Sequence, residues 1–101
     1  MAYDGATRQI VLFGGYGASP GTLSDTWTWN GHNWTEAHPF TSPGDLQLAS
    51  MAYDPATSQL VLFGGYDNVP GGLASGATWT WNGHNWTEAH PSTSPPARAG
   101  A

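Results

Sequence analysis

The sequence contains no cysteine and no lysine, and its 101 residues include two arginines against seven acidic residues. Without cysteine, disulfides, thiolate metal sites and a cysteine nucleophile are excluded, and the redox compartment stays open. A formal net charge of −5 argues against a nucleic-acid partner, because neutralising phosphates requires clustered cations. The same shortage of cations argues against binding to an anionic membrane surface.

Long apolar runs are also missing, since none approaches the roughly 20 residues that span a bilayer. The N-terminus has neither the basic start nor the apolar stretch of a signal peptide. We therefore expect a soluble protein as the sequence stands, with an unknown localisation. Six tryptophans and four tyrosines argue against a disordered chain, because disordered segments are poor in aromatic residues.

The chain consists of two closely similar halves. The string "MAYDGATRQIVLFGGY" at residues 1–16 matches "MAYDPATSQLVLFGGY" at 51–66. The string "TWTWNGHNWTEAHP" occurs without a change at residues 26–39 and 78–91. This internal repeat predicts two equivalent units, residues 1–49 and residues 50–101, each ending in a linker or tail.

Apart from three substitutions between residues 1–16 and 51–66, the differences between the halves are confined to two segments of each unit. Residues 17–25 differ in sequence and length from residues 67–77, and residues 40–50 differ from residues 92–101. Loops tolerate such changes more readily than packed strands do. We therefore interpret these four segments as loops, linkers or tails.

The sequence of each unit predicts four short strands and no helix. "MAYD" leads through the turn formers Asp-Gly-Ala-Thr or Asp-Pro-Ala-Thr into the β-branched and aromatic run "QIVLF" or "QLVLF". "TWTW" alternates as a strand does, and the following Asn-Gly is a strong hairpin signal before "NWTEA". The sequence therefore predicts an all-β fold.

A unit with four strands, a Gly-Gly doublet after the second strand, and spaced Tyr and Trp resembles a kelch repeat. More narrowly, the two units resemble the bacterial galactose-oxidase-like kelch type, and the resemblance covers essentially the whole chain. It implies that each unit is a four-stranded antiparallel blade of a β-propeller. Kelch propellers typically have six or seven blades, whereas this sequence supplies two.

Two blades cannot close a ring, and repeats of this kind need about three neighbours for stability. One interpretation is an excerpt of a longer propeller that is loosely structured alone. The favoured one is closure by homo-oligomerisation, with six blades from a homotrimer or eight from a homotetramer. The tail "SPPARAGA" corresponds to the linker "SPGDLQLA" between the units. The expected contact therefore joins two terminal groups: Met1, Ala2 and Tyr3 of one copy, and Pro96, Ala97, Arg98 and Ala99 of the next.

No constellation for catalysis or metal binding stands out. His32 and His84 fall in predicted turns, His38 and His90 at strand ends, and neither pair has a convincing third ligand. The full galactose oxidases use a cysteine-crosslinked tyrosine, so the resemblance does not carry that chemistry to a chain without cysteine. We expect no enzyme activity, no cofactor and no metal site.

Two functions remain as hypotheses. The first is a structural scaffold that assembles from identical two-blade chains. The alternative is a carbohydrate- or peptide-binding module that uses the variable loops of one face, because recognition is commonly carried by loops on a rigid scaffold. The candidate ligand-binding residues are Tyr16, Asp25, Tyr66, Asp67 and Asn68.

Overall fold

The computed structural model describes residues 1–17, 21–67 and 73–101. Over these residues the chain is all-β, with antiparallel pairing between all hydrogen-bonded strands. The all-β prediction is confirmed.

Two four-stranded sheets follow one another along the chain. The strands are β1 (Ala2–Asp4), β2 (Gln9–Tyr16), β3 (Thr22–Trp29), β4 (Trp34–Ala37), β5 (Leu46–Gln47), β6 (Ser50–Asp54), β7 (Gln59–Phe63), β8 (Tyr66–Asp67), β9 (Thr78–Trp81) and β10 (Trp86–Ala89). The first sheet has the order β1-β2-β3-β4, and the second has the spatial order β10-β9-β7-β6. A two-stranded pair, β5 with β8, lies beside them.

Side-chain hydrogen bonds form the turns within each sheet. In the first hairpin of each sheet, an aspartate accepts a bond from a backbone N–H two residues later, Asp4 from Ala6 and Asp54 from Ala56, both at 3.0 Å. The turns that end in Arg8 and Ser58 place both residues in the left-handed region, at φ 59° and 57°. The Asn-Gly hairpins also use a side-chain acceptor, because the Asn30 Oδ1 atom accepts bonds from two following backbone N–H groups, as Asn82 does in the second sheet. Asp and Asn favour turns for this reason.

The Gly-Gly doublet brings the linker against the first sheet. The register of β2 shifts between Phe13 and Gly15, and Gly14 adopts φ +63°. A Cβ atom at Gly14 would lie 2.5 Å from the carbonyl oxygen of Leu46 and 3.0 Å from that of Leu23. The close approach of two backbone segments therefore requires glycine at this position.

The hydrophobic core lies between the two four-stranded sheets. The first sheet contributes Val11 and Phe13. The linker contributes Leu46, which is also buried. The second sheet supplies the remaining buried apolar residues, Leu60, Leu62, Trp81 and Trp86.

We expect Gly14→Ala to lower the free energy of unfolding by more than about 2 kcal/mol, because strain at positive φ adds to a collision with backbone atoms. Gly44→Ala is the matched control, since Gly44 also has positive φ but open space around its Cβ position. Its cost should be about 1 kcal/mol. Urea unfolding of both variants measures the difference, and equal losses would contradict the close approach at Gly14.

Candidate assembly interface

A tryptophan joins the two sheets. Trp86, the first residue of β10, is 1% exposed. Its indole Nε1–H donates a buried hydrogen bond of 3.0 Å to the Thr26 Oγ1 atom of the first sheet. Its ring meets Phe13 edge-to-face, with centroids 5.3 Å apart and an angle of 66° between planes. The contact combines apolar burial with a satisfied N–H donor, as a buried tryptophan requires.

Strand pairing determines which side chains meet at this junction. Phe13 is paired with Thr26 across β2 and β3, so both side chains lie on one face of the first sheet. Trp81 is paired with Trp86 across β9 and β10, and their rings lie 5.2 Å apart. Each sheet therefore presents one continuous face to the other.

The two sheets use opposite faces at the junction. Successive side chains of a strand point to opposite faces of the sheet. Val11 and Phe13 of the first sheet are buried at the junction, whereas the corresponding residues of the second sheet, Val61 and Phe63, are half-buried. The second sheet buries Leu60 instead. The junction face of the first sheet consists of Val11, Phe13 and Thr26. The junction face of the second sheet consists of Leu60, Leu62, Trp81 and Trp86.

On each sheet, the face opposite the junction face carries the sequence counterparts of the other sheet's junction face. We call these the open faces. The open face of the first sheet consists of Ile10, Leu12, Trp29 and Trp34, which correspond in the repeat to the junction face of the second sheet. The open face of the second sheet consists of Val61, Phe63 and Thr78, which correspond to the junction face of the first. All seven residues are half-buried or exposed in this chain.

The aromatic pair on the open face of the first sheet already has the arrangement found at the junction. Trp29 and Trp34 have centroids 5.4 Å apart and planes at 45°. For Trp81 and Trp86 these values are 5.2 Å and 46°. Yet Trp34 is 43% exposed, whereas Trp86 is 1% exposed. The open face of the first sheet thus has the same aromatic arrangement as the junction face of the second sheet, but it is more exposed to solvent.

The C-terminal segment, residues 92–101, lies along the second sheet as the linker, residues 40–50, lies along the first. The Arg98 N–H donates to the Ser75 carbonyl, and the Arg98 carbonyl accepts from the Gly65 N–H at 3.0 Å. In the first unit, the carbonyl oxygen of Leu46, which corresponds to Arg98, lies against Gly14. The Gly100 N–H donates to the Leu48 carbonyl at 2.8 Å. The segment is therefore bound along the second sheet and the linker.

The predicted terminal interface lies on the surface of the chain. Met1 and Tyr3 are exposed, and Ala2 is half-buried against the core. The Met1 side chain is exposed, but its α-amino group is partly buried, and this lowers the pKa of the amino group because desolvation disfavours the charged form. In the C-terminal group of the predicted contact, Ala99 is half-buried, and Pro96, Ala97 and Arg98 are exposed. Contact between these groups in two copies stays a prediction.

The candidate ligand-binding residues divide into two groups. Tyr16 and Tyr66 are exposed at the ends of β2 and β8. The two aspartates accept hydrogen bonds within the chain, Asp25 from the Trp27 Nε1–H at 2.6 Å and Asp67 from the Leu73 N–H at 3.3 Å. Asn68 lies outside the described residues. Sugar or peptide binding by this set stays a prediction.

Residues 1–17, 21–67 and 73–101 include no group of three or more His, Asp or Glu side chains placed to hold a metal ion, and no enclosed pocket. They also include no helix that could cross a membrane. The His32 and His84 side chains are exposed in their hairpin turns.

Comparison of the chain with protein-family models, curated proteins and solved structures finds no match. The assembly contact predicted from the sequence lies at the two terminal groups, and the residues of the open faces were not named there, although the alternation of "TWTW" combined with the exact repeat indicates them.

We expect Thr26→Val to lower the free energy of unfolding by about 1–3 kcal/mol, because it leaves the buried Trp86 N–H without an acceptor while preserving volume. Thr28→Val is the matched control, since the Thr28 hydroxyl makes an exposed 3.4 Å bond to the Thr35 carbonyl. Its effect should stay within about 0.5 kcal/mol. Denaturant unfolding followed by tryptophan fluorescence measures both variants, and similar values would argue against the indole bond.

Proposed function

We propose that the chain is a structural module that assembles with identical copies into a closed β-propeller, each four-stranded sheet serving as a kelch-like blade. One observation carries this proposal. The two open faces are the sequence counterparts of the two junction faces, so a second copy can cover each open face with the contacts that the chain already makes internally.

The contacts at such an interface follow from the internal junction. Trp34 of one copy takes the place of Trp86, and it packs against Phe63 of the neighbouring copy as Trp86 packs against Phe13. The Trp34 Nε1–H then donates to the Thr78 Oγ1 of that copy. A second hydrogen bond has a counterpart too, because the Phe40 N–H donates to the Asn85 Oδ1 at 2.7 Å across the internal junction. Its equivalent joins the Ser92 N–H to Asn33 of the neighbouring copy.

This interface joins two different surfaces, so it is heterologous and generates a ring when the rotation closes. Each chain contributes two blades, which makes the total even: six from a homotrimer or eight from a homotetramer. Covering the open faces removes apolar surface from water, and burial of such surface is the main driving force for association. The assembled ring is a rigid scaffold that presents several copies of each loop.

We expect native protein to have three or four times the mass of one 10.7 kDa chain. Size-exclusion chromatography with light scattering measures this mass over a range of protein concentrations. A monomeric mass throughout would overturn the proposal, and a mass that grows without a fixed value would indicate open filaments in place of a ring.

We expect Trp34→Ala to weaken association by about 2 kcal/mol or more, roughly a thirtyfold increase in the dissociation constant, because a central aromatic contact is lost. Phe40→Ala is the matched control, since its side chain is fully exposed and only its backbone bonds to Asn85. Sedimentation equilibrium compares the two variants. The proposal fails if both assemble equally, provided that circular dichroism shows both to be folded.

A further inference from the structure

We propose that Arg98–Ala99 of one copy adds as a short antiparallel strand to the edge formed by Tyr16–Gly17 of a second copy. This inference rests on the proposed assembly and specifies a backbone connection that is separate from the packing of the sheet faces.

The chain already contains one such connection. The linker strand β5 leaves the first sheet and pairs with β8 of the second unit, with Leu46 opposite Asp67 and Gln47 opposite Tyr66. Arg98 and Ala99 correspond to Leu46 and Gln47 in the repeat. The pairing partner that corresponds to β8 is Tyr16–Gly17.

The C-terminal segment has the conformation of the linker. The Ser42 hydroxyl bonds to the Ser24 carbonyl, and the corresponding Ser94 hydroxyl bonds to the Gly76 carbonyl. Further along, Leu48 and Gly100 correspond to one another and both have positive φ, 60° and 72°. The segment is therefore held along the second sheet in the form that the linker uses for strand pairing.

Within residues 1–17, 21–67 and 73–101, no strand pairs with the outer edge at Tyr16–Gly17. The Gly17 N–H donates to the Gly21 carbonyl at 2.6 Å, as the corresponding Asp67 N–H donates to the Leu73 carbonyl. Because backbone groups alternate in direction along a strand, the Tyr16 N–H and carbonyl face away from that bond.

The exposure of the two tyrosines agrees with this difference. Tyr66, whose strand is covered by β5, is 39% exposed, whereas Tyr16 is 76% exposed. An unpaired strand edge is a ready template for another chain. Here the second copy supplies a segment of matching length and conformation.

The register of the proposed pair follows from the internal one. Arg98 lies opposite Gly17, and Ala99 lies opposite Tyr16. The Arg98 N–H and carbonyl are already bonded to Ser75 and Gly65, so Arg98 and Gly17 form a non-hydrogen-bonded pair. The Ala99 N–H and carbonyl are the groups that bond to Tyr16 of the second copy.

A disulfide tests this register, and the chain has no cysteine that could interfere. Opposite residues of a non-hydrogen-bonded pair have Cα atoms about 4.5 Å apart, which a disulfide can bridge. The double variant Gly17→Cys/Arg98→Cys is oxidised with oxidised glutathione and run on a non-reducing denaturing gel. A Cβ at Gly17 contacts the flexible Leu23 side chain at 3.1 Å, which small side-chain shifts accommodate.

Two controls accompany this variant. Leu46→Cys/Asp67→Cys places thiols at the internal counterpart and should give a disulfide within one chain. Gly17→Cys/Ser94→Cys moves one thiol away from the proposed pair and should give little crosslinking. The native mass of each reduced variant is measured by light scattering before oxidation.

We expect most Gly17→Cys/Arg98→Cys chains to shift from the monomer band to covalently linked oligomers that reductant dissolves. An oligomeric native mass with crosslinking no greater than in the Ser94 control would overturn the strand pairing but leave the proposed assembly intact. A disulfide formed within one chain would also overturn the pairing. A monomeric mass for the unaltered protein would overturn both proposals.

Discussion

The contact of Trp86 with Thr26 and Phe13 holds the two four-stranded sheets together. A buried indole needs an acceptor for its N–H, and the Thr26 hydroxyl of the other sheet supplies it at 3.0 Å. The edge-to-face contact with Phe13 fixes the orientation of the same ring. The contact therefore determines which face of each sheet is covered, and alternation along the strands then determines which residues remain outside.

The repeated string places identical residues in two environments. Trp86 is buried at the junction, whereas Trp34 lies on the open face of the first sheet, where its contact with Trp29 has nearly the same ring geometry as the contact of Trp86 with Trp81. A large exposed apolar surface is unusual in a protein that stays alone in solution. Identity of the two strings is readily explained if both tryptophans meet equivalent surfaces, one within the chain and one in another copy.

The sequence predicted the all-β class, the four strands of each unit and the Asn-Gly hairpins, because alternation and turn residues are local signals. It did not predict the pairing of β5 with β8, since a two-residue strand has no side-chain period and its partner is distant in sequence. Nor did it predict that β2 continues past Gly14 to Tyr16. The hydrogen bonds of Asp25 and Asp67 were missed because the choice between intramolecular and ligand contacts depends on local geometry that residue types do not specify.

Arg8 and Ser58 differ in chemistry but have nearly the same left-handed backbone, at φ 59° and 57°. The conformation is therefore imposed by the hairpin and not by the residue, and each non-glycine residue there costs about 1–2 kcal/mol. Both side chains are exposed and lie outside the junction and open faces. Asparagine or glycine at these two turns would relieve this strain and raise thermal stability without altering the packing between the two sheets.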